Sequence, residues 1–253
     1  SHFFEHMMFK GTKTIGTTDA ARDAELNAKI EATMTRARAI KLARLEADRL
    51  GRKLPKEREE EYAALWKEYE GFVAEQQKIT ISEDLSKIYQ RNGGVGLNAT
   101  TSYDRTNYFV ELPSNKVELF FWLEADRFSA PIFREFYPER EVVKEERRMR
   151  TDSTPTGLIN EAFLSVFWQA HQYSWPVIGW MSDIDQYTLT DAQEYFNVHY
   201  SPQNCTAIIV GDVKAADIEG LARKYFGRIK RSLFDPAPLV TMEPKQTGER
   251  RLV

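Results

Sequence analysis

Apolar residues recur at helical spacing through most of this chain and alternate cleanly in only one place. From Asp19 to Leu50 the sequence is rich in Ala, Glu, Arg, Lys and Leu, without proline or glycine, which predicts one long helix capped by Thr18 or Asp19. Gly51-Arg52-Lys53-Leu54-Pro55 breaks it, and Lys56 to Gln77 resumes with Tyr62, Leu65, Trp66, Tyr69 and Phe72 at helical spacing. The pair reads as an antiparallel helical hairpin inserted at about residues 19–80. A short helix around Ser82–Gln90 follows, then a turn at Asn92-Gly93-Gly94-Val95-Gly96. Leu97–Thr101 and Thr106–Leu112 predict a β-hairpin, the second strand alternating Tyr108, Val110 and Leu112 against Asn107, Phe109 and Glu111.

Beyond the hairpin, Pro113–Ala130 predicts an amphipathic helix with Val117, Phe120, Phe121 and Leu123 inward and Trp122 sharing their burial. Helices are also expected at Pro138–Met149, Leu158–His171, Thr190–His199 and Ala215–Phe226. The apolar run Cys205–Val210 predicts a buried strand, with Cys205 as a small core residue. Pro236-Ala237-Pro238 reads as a linker, and Glu249–Val253 as the start of a further strand.

Composition narrows the function classes. At 253 residues the chain can bury a real core. A net charge of −3 gives no electrostatic case for nucleic acid. No apolar run approaches the roughly 20 residues of a membrane span. One cysteine permits no internal disulfide.

The candidate chemistry begins at the second residue. His2-Phe3-Phe4-Glu5-His6 places two imidazoles four residues apart, on one face of a helix at Cβ separations of about 5–6 Å. Both can point at one metal ion, and Glu5 borders that face without being a ligand. This is the inverted zinc-peptidase pattern H-x-x-E-H, in which the carboxylate serves as general base. A catalytic zinc usually takes three protein ligands, so a third is expected elsewhere. The acidic helix at 138–149 offers one. Val142, Glu146 and Met149 follow an i, i+4, i+7 repeat, which predicts a buried stripe with Glu146 inside it. A carboxylate on such a stripe needs a partner or a metal. Glu139, two turns earlier, returns to the same stripe.

His2 to Thr12, HFFEHMMFKGT, followed by the distant EREVVKEERR, resembles the pitrilysin or insulinase-type zinc metallopeptidases, family M16. Asn98-Ala99-Thr100-Thr101-Ser102 with Thr106-Asn107-Tyr108-Phe109, and Tyr200-Ser201-Pro202-Gln203-Asn204 before Ala207–Asp212, resemble further family segments. The resemblance implies an α+β fold, a mostly antiparallel sheet flanked by helices, to which the helical hairpin is added. It implies His2, His6 and Glu146 as ligands of one zinc ion, Glu5 as base and Glu139 as a supporting carboxylate. It also implies that a peptide substrate adds as a strand along Asn98, Ala99, Thr100 and Thr101.

The expected organisation is a catalytic domain over 1–232 lacking its upstream strands, then 233–253 as linker and start of a second, similar half. That half would lie on the same chain or on a partner subunit, and a dimer is compatible with either. An exported, periplasmic location and a cytoplasmic one both remain open. The rival reading is a non-catalytic structural subunit of such a peptidase complex. His171 and His199 are expected to pack and hydrogen-bond, with no part in the chemistry.

Overall fold

The structure, a computed structural model, describes residues 1–251. The chain divides into two units, one of residues 1–10 with 85–253 and one of residues 11–84.

The second unit is the helical hairpin. Helix α2 (Ala20–Arg49) starts where the Asp19 carboxylate accepts the Arg22 N–H at 2.9 Å, and α3 (Lys56–Ile79) starts after Pro55. Glycine at position 51 takes φ +64°, a left-handed turn that a Cβ would strain. Ala37, Ile40 and Leu65 form the buried seam, flanked by Leu54 and Tyr62. A polar layer lies nearer the base, where the Gln76 amide donates to Asp23 at 3.0 Å and to Asn27 at 2.9 Å. The two ends of the insertion meet in one antiparallel bridge, Thr17 to Thr80, with the Ile81 N–H donating to Gly16 O at 3.0 Å.

In the first unit, α1 (His2–Met7) and α4 (Asp84–Arg91) precede the β-hairpin of β1 (Val95–Thr101) and β2 (Thr106–Glu111). The strands pair antiparallel, Ala99 opposite Tyr108 and Thr101 opposite Thr106, with an irregularity between Val95 and Asn98. Helices α5 (Val117–Ser129), α6 (Phe136–Arg147), α7 (Pro155–Phe167), α8 (Met181–Ile184), α9 (Leu189–His199) and α10 (Ala215–Tyr225) complete it. One π-helical turn, Arg148–Asp152, separates α6 from α7. Gly157 lies against that turn: a Cβ there would sit 2.5 Å from Arg150 O, so glycine alone fits.

The α+β class stands, with an antiparallel sheet of two strands among the described residues. Four expectations are corrected. Cys205–Val210 forms no strand, and Cys205, Ile208 and Val210 are exposed, because no neighbouring strand among the described residues pairs with them. Trp122 is exposed while Phe121 and Leu123 are buried, since α5 turns Phe121, Leu123, Glu124, Ala125 and Arg127 inward and Trp122 lies on the opposite side. On α6 the buried stripe is Phe136, Tyr137, Arg140, Val143 and Arg147, whereas Val142 is 52% and Met149 66% exposed. Residues 249–251 are not in a strand; Leu252 and Val253 lie outside the described residues.

Candidate metal centre

A helix of six residues is not stable by its own hydrogen bonds, and Ser1 at its N-cap makes no side-chain cap. Packing holds α1 instead. Phe3 meets Phe136 edge-on at 4.9 Å; Phe4 lies within 4.6–6.0 Å of Phe133, Tyr195, Phe196 and Tyr200. Below α1, the Arg127 guanidinium is 1% exposed, donates to Met8 O at 3.0 Å and pairs with both oxygens of Glu124. The Tyr89 hydroxyl donates to the same carboxylate at 2.8 Å. Aromatic anchors and a buried ion pair therefore set the height and rotation of the two histidines.

The two imidazoles stand 4.9 Å apart between ring centroids, and both direct Nε2 at Glu146 of α6. Glu146 Oε2 is 3.6 Å from His2 Nε2 and 3.4 Å from His6 Nε2, and the ligand atoms of all three residues lie within 4.8 Å of one another. That oxygen is buried and has no hydrogen-bond partner. A buried carboxylate oxygen without a donor is costly, and two imidazole nitrogens with one such oxygen are a donor set that suits zinc. The residues fit the ion. The other oxygen, Oε1, pairs with Arg150 at 2.6 Å.

Glu139 lies one layer out. His6 Nδ1 is 2.8 Å from its Oε1, and Lys10 Nζ is 2.6 Å from its Oε2. Burial pushes the Glu139 carboxyl upward, but the bonds from His6 and Lys10 and the Lys10 charge outweigh it and hold it at about 2. The same contacts act on His6, where burial lowers the pKa and Glu139 raises it further, for a net rise. His2 moves the other way: burial outweighs the pull of Glu146 and lowers its pKa, which favours the neutral ring. A neutral ring offers a lone pair, as a metal ligand must.

Glu5 stands beside this group, half-buried, and the Thr101 hydroxyl donates to its Oε2. Thr101 ends β1, which packs against α1. The strand alternates: Ala99 is buried and Thr101 half-buried, whereas Asn98 and Thr100 are exposed. The Asn98 side-chain Oδ1 accepts the Ala99 N–H at 2.8 Å. Outside the centre, His171 Nδ1 accepts the Tyr173 N–H at 3.2 Å, and His199 packs on Tyr195 with its pKa lowered by burial.

The structure thus brings His2, His6, Glu146, Glu139 and Glu5 to one place. The expectation for Glu146 came from a buried stripe with Val142 and Met149 that does not exist. Its stripe instead follows the margin of α6 that faces α1. Sequence reasoning missed Lys10, Arg127 and Arg150. Lys10 had a signal, since it follows His6 by four residues and a continued helix would place it one turn further along, although α1 ends at Met7 and Lys10 lies in the turn beyond.

Comparison with known proteins points to one peptidase family. Residues 74–179 match the family described as Insulinase (Peptidase family M16), and residues 186–253 match the Peptidase M16 inactive domain. The first match contains β1, Glu139 and Glu146; residues 1–10 precede it. The zinc protease PqqE of Helicobacter pylori is 37% identical over 173 residues, 67% of this chain and 39% of that protein. An uncharacterized zinc protease of Mycobacterium leprae is 29% identical over 154 residues, 59% of this chain and 34% of that protein. The chain therefore spans little more than a third of the curated relatives it matches. A crystal structure of a protease from Helicobacter pylori superposes with TM-score 0.63 at 37% identity, covering 67% of this chain and 41% of that one. The periplasmic protease PqqL from Escherichia coli superposes with TM-score 0.62 at 17% identity, covering 96% of this chain and 20% of that one. At that identity the likeness concerns the fold alone.

Proposed function

Because the chain belongs to the M16, insulinase-type peptidase family, we propose that it carries the catalytic site of a zinc-dependent endopeptidase. His2, His6 and Glu146 would hold the zinc and Glu5 would act as general base. The observation that carries this reading is the buried, partnerless Glu146 Oε2 facing two imidazole nitrogens at 3.4 and 3.6 Å.

When bound there, zinc supplies Lewis acidity: it polarises a carbonyl oxygen and makes a water molecule acidic enough to lose a proton near pH 7. The chain's own residues do the rest. Glu5 takes the proton from the attacking water and returns it to the departing amine, as a carboxylate base beside the reacting atoms can. The Thr101 hydroxyl occupies Glu5 Oε2, which leaves Oε1 for that proton. Glu139 accepts from His6 Nδ1 and so leaves Nε2 as the ligand atom.

Among the described residues β1 pairs only with β2. Its other edge suits an extended peptide, which would pair with the backbone of Asn98, Ala99, Thr100 and Thr101. Backbone pairing tolerates many side chains, so the substrates we infer are peptides or unfolded polypeptides. We also infer a domain over residues 1–232 with the hairpin as an insertion. Residues 233–253 would lead to a second half, on this chain or a partner subunit. A structure titled the first half of PqqL, TM-score 0.58 over 96% of this chain, supports that organisation by fold alone.

The test is Glu5→Gln in a fluorogenic-peptide assay with parallel metal analysis. The variant is expected to keep its zinc and lose cleavage by a factor of 100 or more, roughly the contribution of a positioned general base. Undiminished turnover would reject the role of Glu5, whereas a wild-type protein with neither zinc nor cleavage would favour the structural-subunit alternative.

A further inference from the structure

We propose that Lys10 is a positioning residue of the metal centre: its ammonium group, shared between Glu135 and Glu139, holds Glu139 where that carboxylate fixes the His6 ring. The proposal rests on the zinc reading above and adds a residue to it.

Lys10 closes the turn that follows α1, with its N–H donating to Met7 O at 3.2 Å. Its side chain is 20% exposed and reaches Glu139 Oε2 at 2.6 Å and Glu135 Oε2 at 3.2 Å. Its own carbonyl accepts from Arg134 Nη1 at 2.6 Å. Lys10 is therefore gripped at both ends by the segment that opens α6. That segment carries a second mark: Glu135 adopts φ 56° and ψ 29°, a left-handed conformation that disfavours any residue but glycine. Strain of this kind persists only where surrounding contacts hold it, and the Glu135 side chain is held by Lys10.

The consequence runs through Glu139 to the ring. Glu139 has two oxygens in a half-buried place, one facing His6 and the other facing Lys10. Without the ammonium group, the second oxygen loses its partner and the carboxylate gains by rotating toward water. His6 Nδ1 then loses its acceptor. The ring becomes free to place its proton on Nε2, which would point a donor at Glu146 in place of a lone pair. Lys10 thus acts at one remove from the metal position, by selecting the tautomer that can bind.

The experiment compares wild type, Lys10→Met, Lys10→Arg and His6→Ala by competition for zinc against a chromophoric chelator. The His6 ring-nitrogen shifts of the metal-free protein are read by NMR at alkaline pH, where the ring is neutral. Lys10→Met is expected to weaken zinc binding roughly tenfold, in the range found for groups behind a ligand. It is also expected to move His6 from the Nδ1–H tautomer to a mixture, and Lys10→Arg is expected to restore most of both. Wild-type affinity with an unchanged tautomer in Lys10→Met would overturn the proposal. So would a Lys10→Arg protein as impaired as Lys10→Met, since shape and not charge would then be at work. If wild type and His6→Ala bind zinc equally, the metal reading itself fails; if only His6→Ala loses it, the role of Lys10 fails alone.

Discussion

Replacing Glu139 by glutamine removes one negative charge and nothing of the side chain's length, so its effect can be worked from the contacts. The carboxylate is 13% exposed and receives His6 and Lys10. Held at about 2 in the folded chain against 4.5 when free, it carries at most about 3 kcal/mol. Glutamine keeps an acceptor oxygen for His6, so the expected loss at pH 7 is about 2–3 kcal/mol. The folded carboxyl is the more acidic one. Its contribution is therefore present in full above pH 4.5 and fades as pH falls toward 2. The gap between wild type and Glu139→Gln should narrow by roughly 1 kcal/mol between pH 7 and pH 3.5. Urea unfolding of both proteins in excess chelator, followed by tryptophan fluorescence at the two pH values, measures it. A gap under about 0.5 kcal/mol at pH 7, the size of an ordinary surface substitution, would refute the reasoning. A gap that does not shrink in acid would refute it equally.

Two further substitutions probe what holds the centre in place. Arg127→Met leaves Glu124 buried without its charge partner, with only Tyr89 still donating to it, and removes the donor to Met8 O, and should cost about 3–5 kcal/mol. A fall in melting temperature of about 10 °C checks this, and adding Glu124→Leu should recover part of it. Leu65→Ala opens the hairpin seam beside Ala37 and Ile40 and should cost about 2–5 kcal/mol. Hydrogen exchange over residues 20–79 should quicken while zinc affinity stays unchanged, because the centre draws no residue from 11–84.

What the chain displayed openly was everything governed by local spacing. The His2–His6 pair, the breaks at Gly51 and Pro55 and the alternating strand at 106–111 follow from periods that any window shows. Glu146 was found for a reason the structure does not support. Periodicity assigned it to the buried face of α6, whereas Val142 and Met149 are exposed and burial follows Phe136, Arg140, Val143 and Arg147. Two stripes on one helix had comparable apolar content, and only the partner, α1, decides between them. The apolar run 205–210 misled in the opposite direction: β-branched composition predicts a strand, but a strand exists only where a neighbour pairs with it. Buried polar groups were least legible, because Arg127, Lys10 and Arg134 read as surface charges until their distant acceptors are known.

The zinc content of the purified protein after chelator treatment and reloading, measured beside Glu146→Ala, tests the metal centre most directly. Wild type is expected to take up one zinc ion per chain, and the variant little or none while its fold is retained. A wild-type protein that takes up no zinc, or a Glu146→Ala protein that holds it as firmly, would contradict the site on which every functional statement depends.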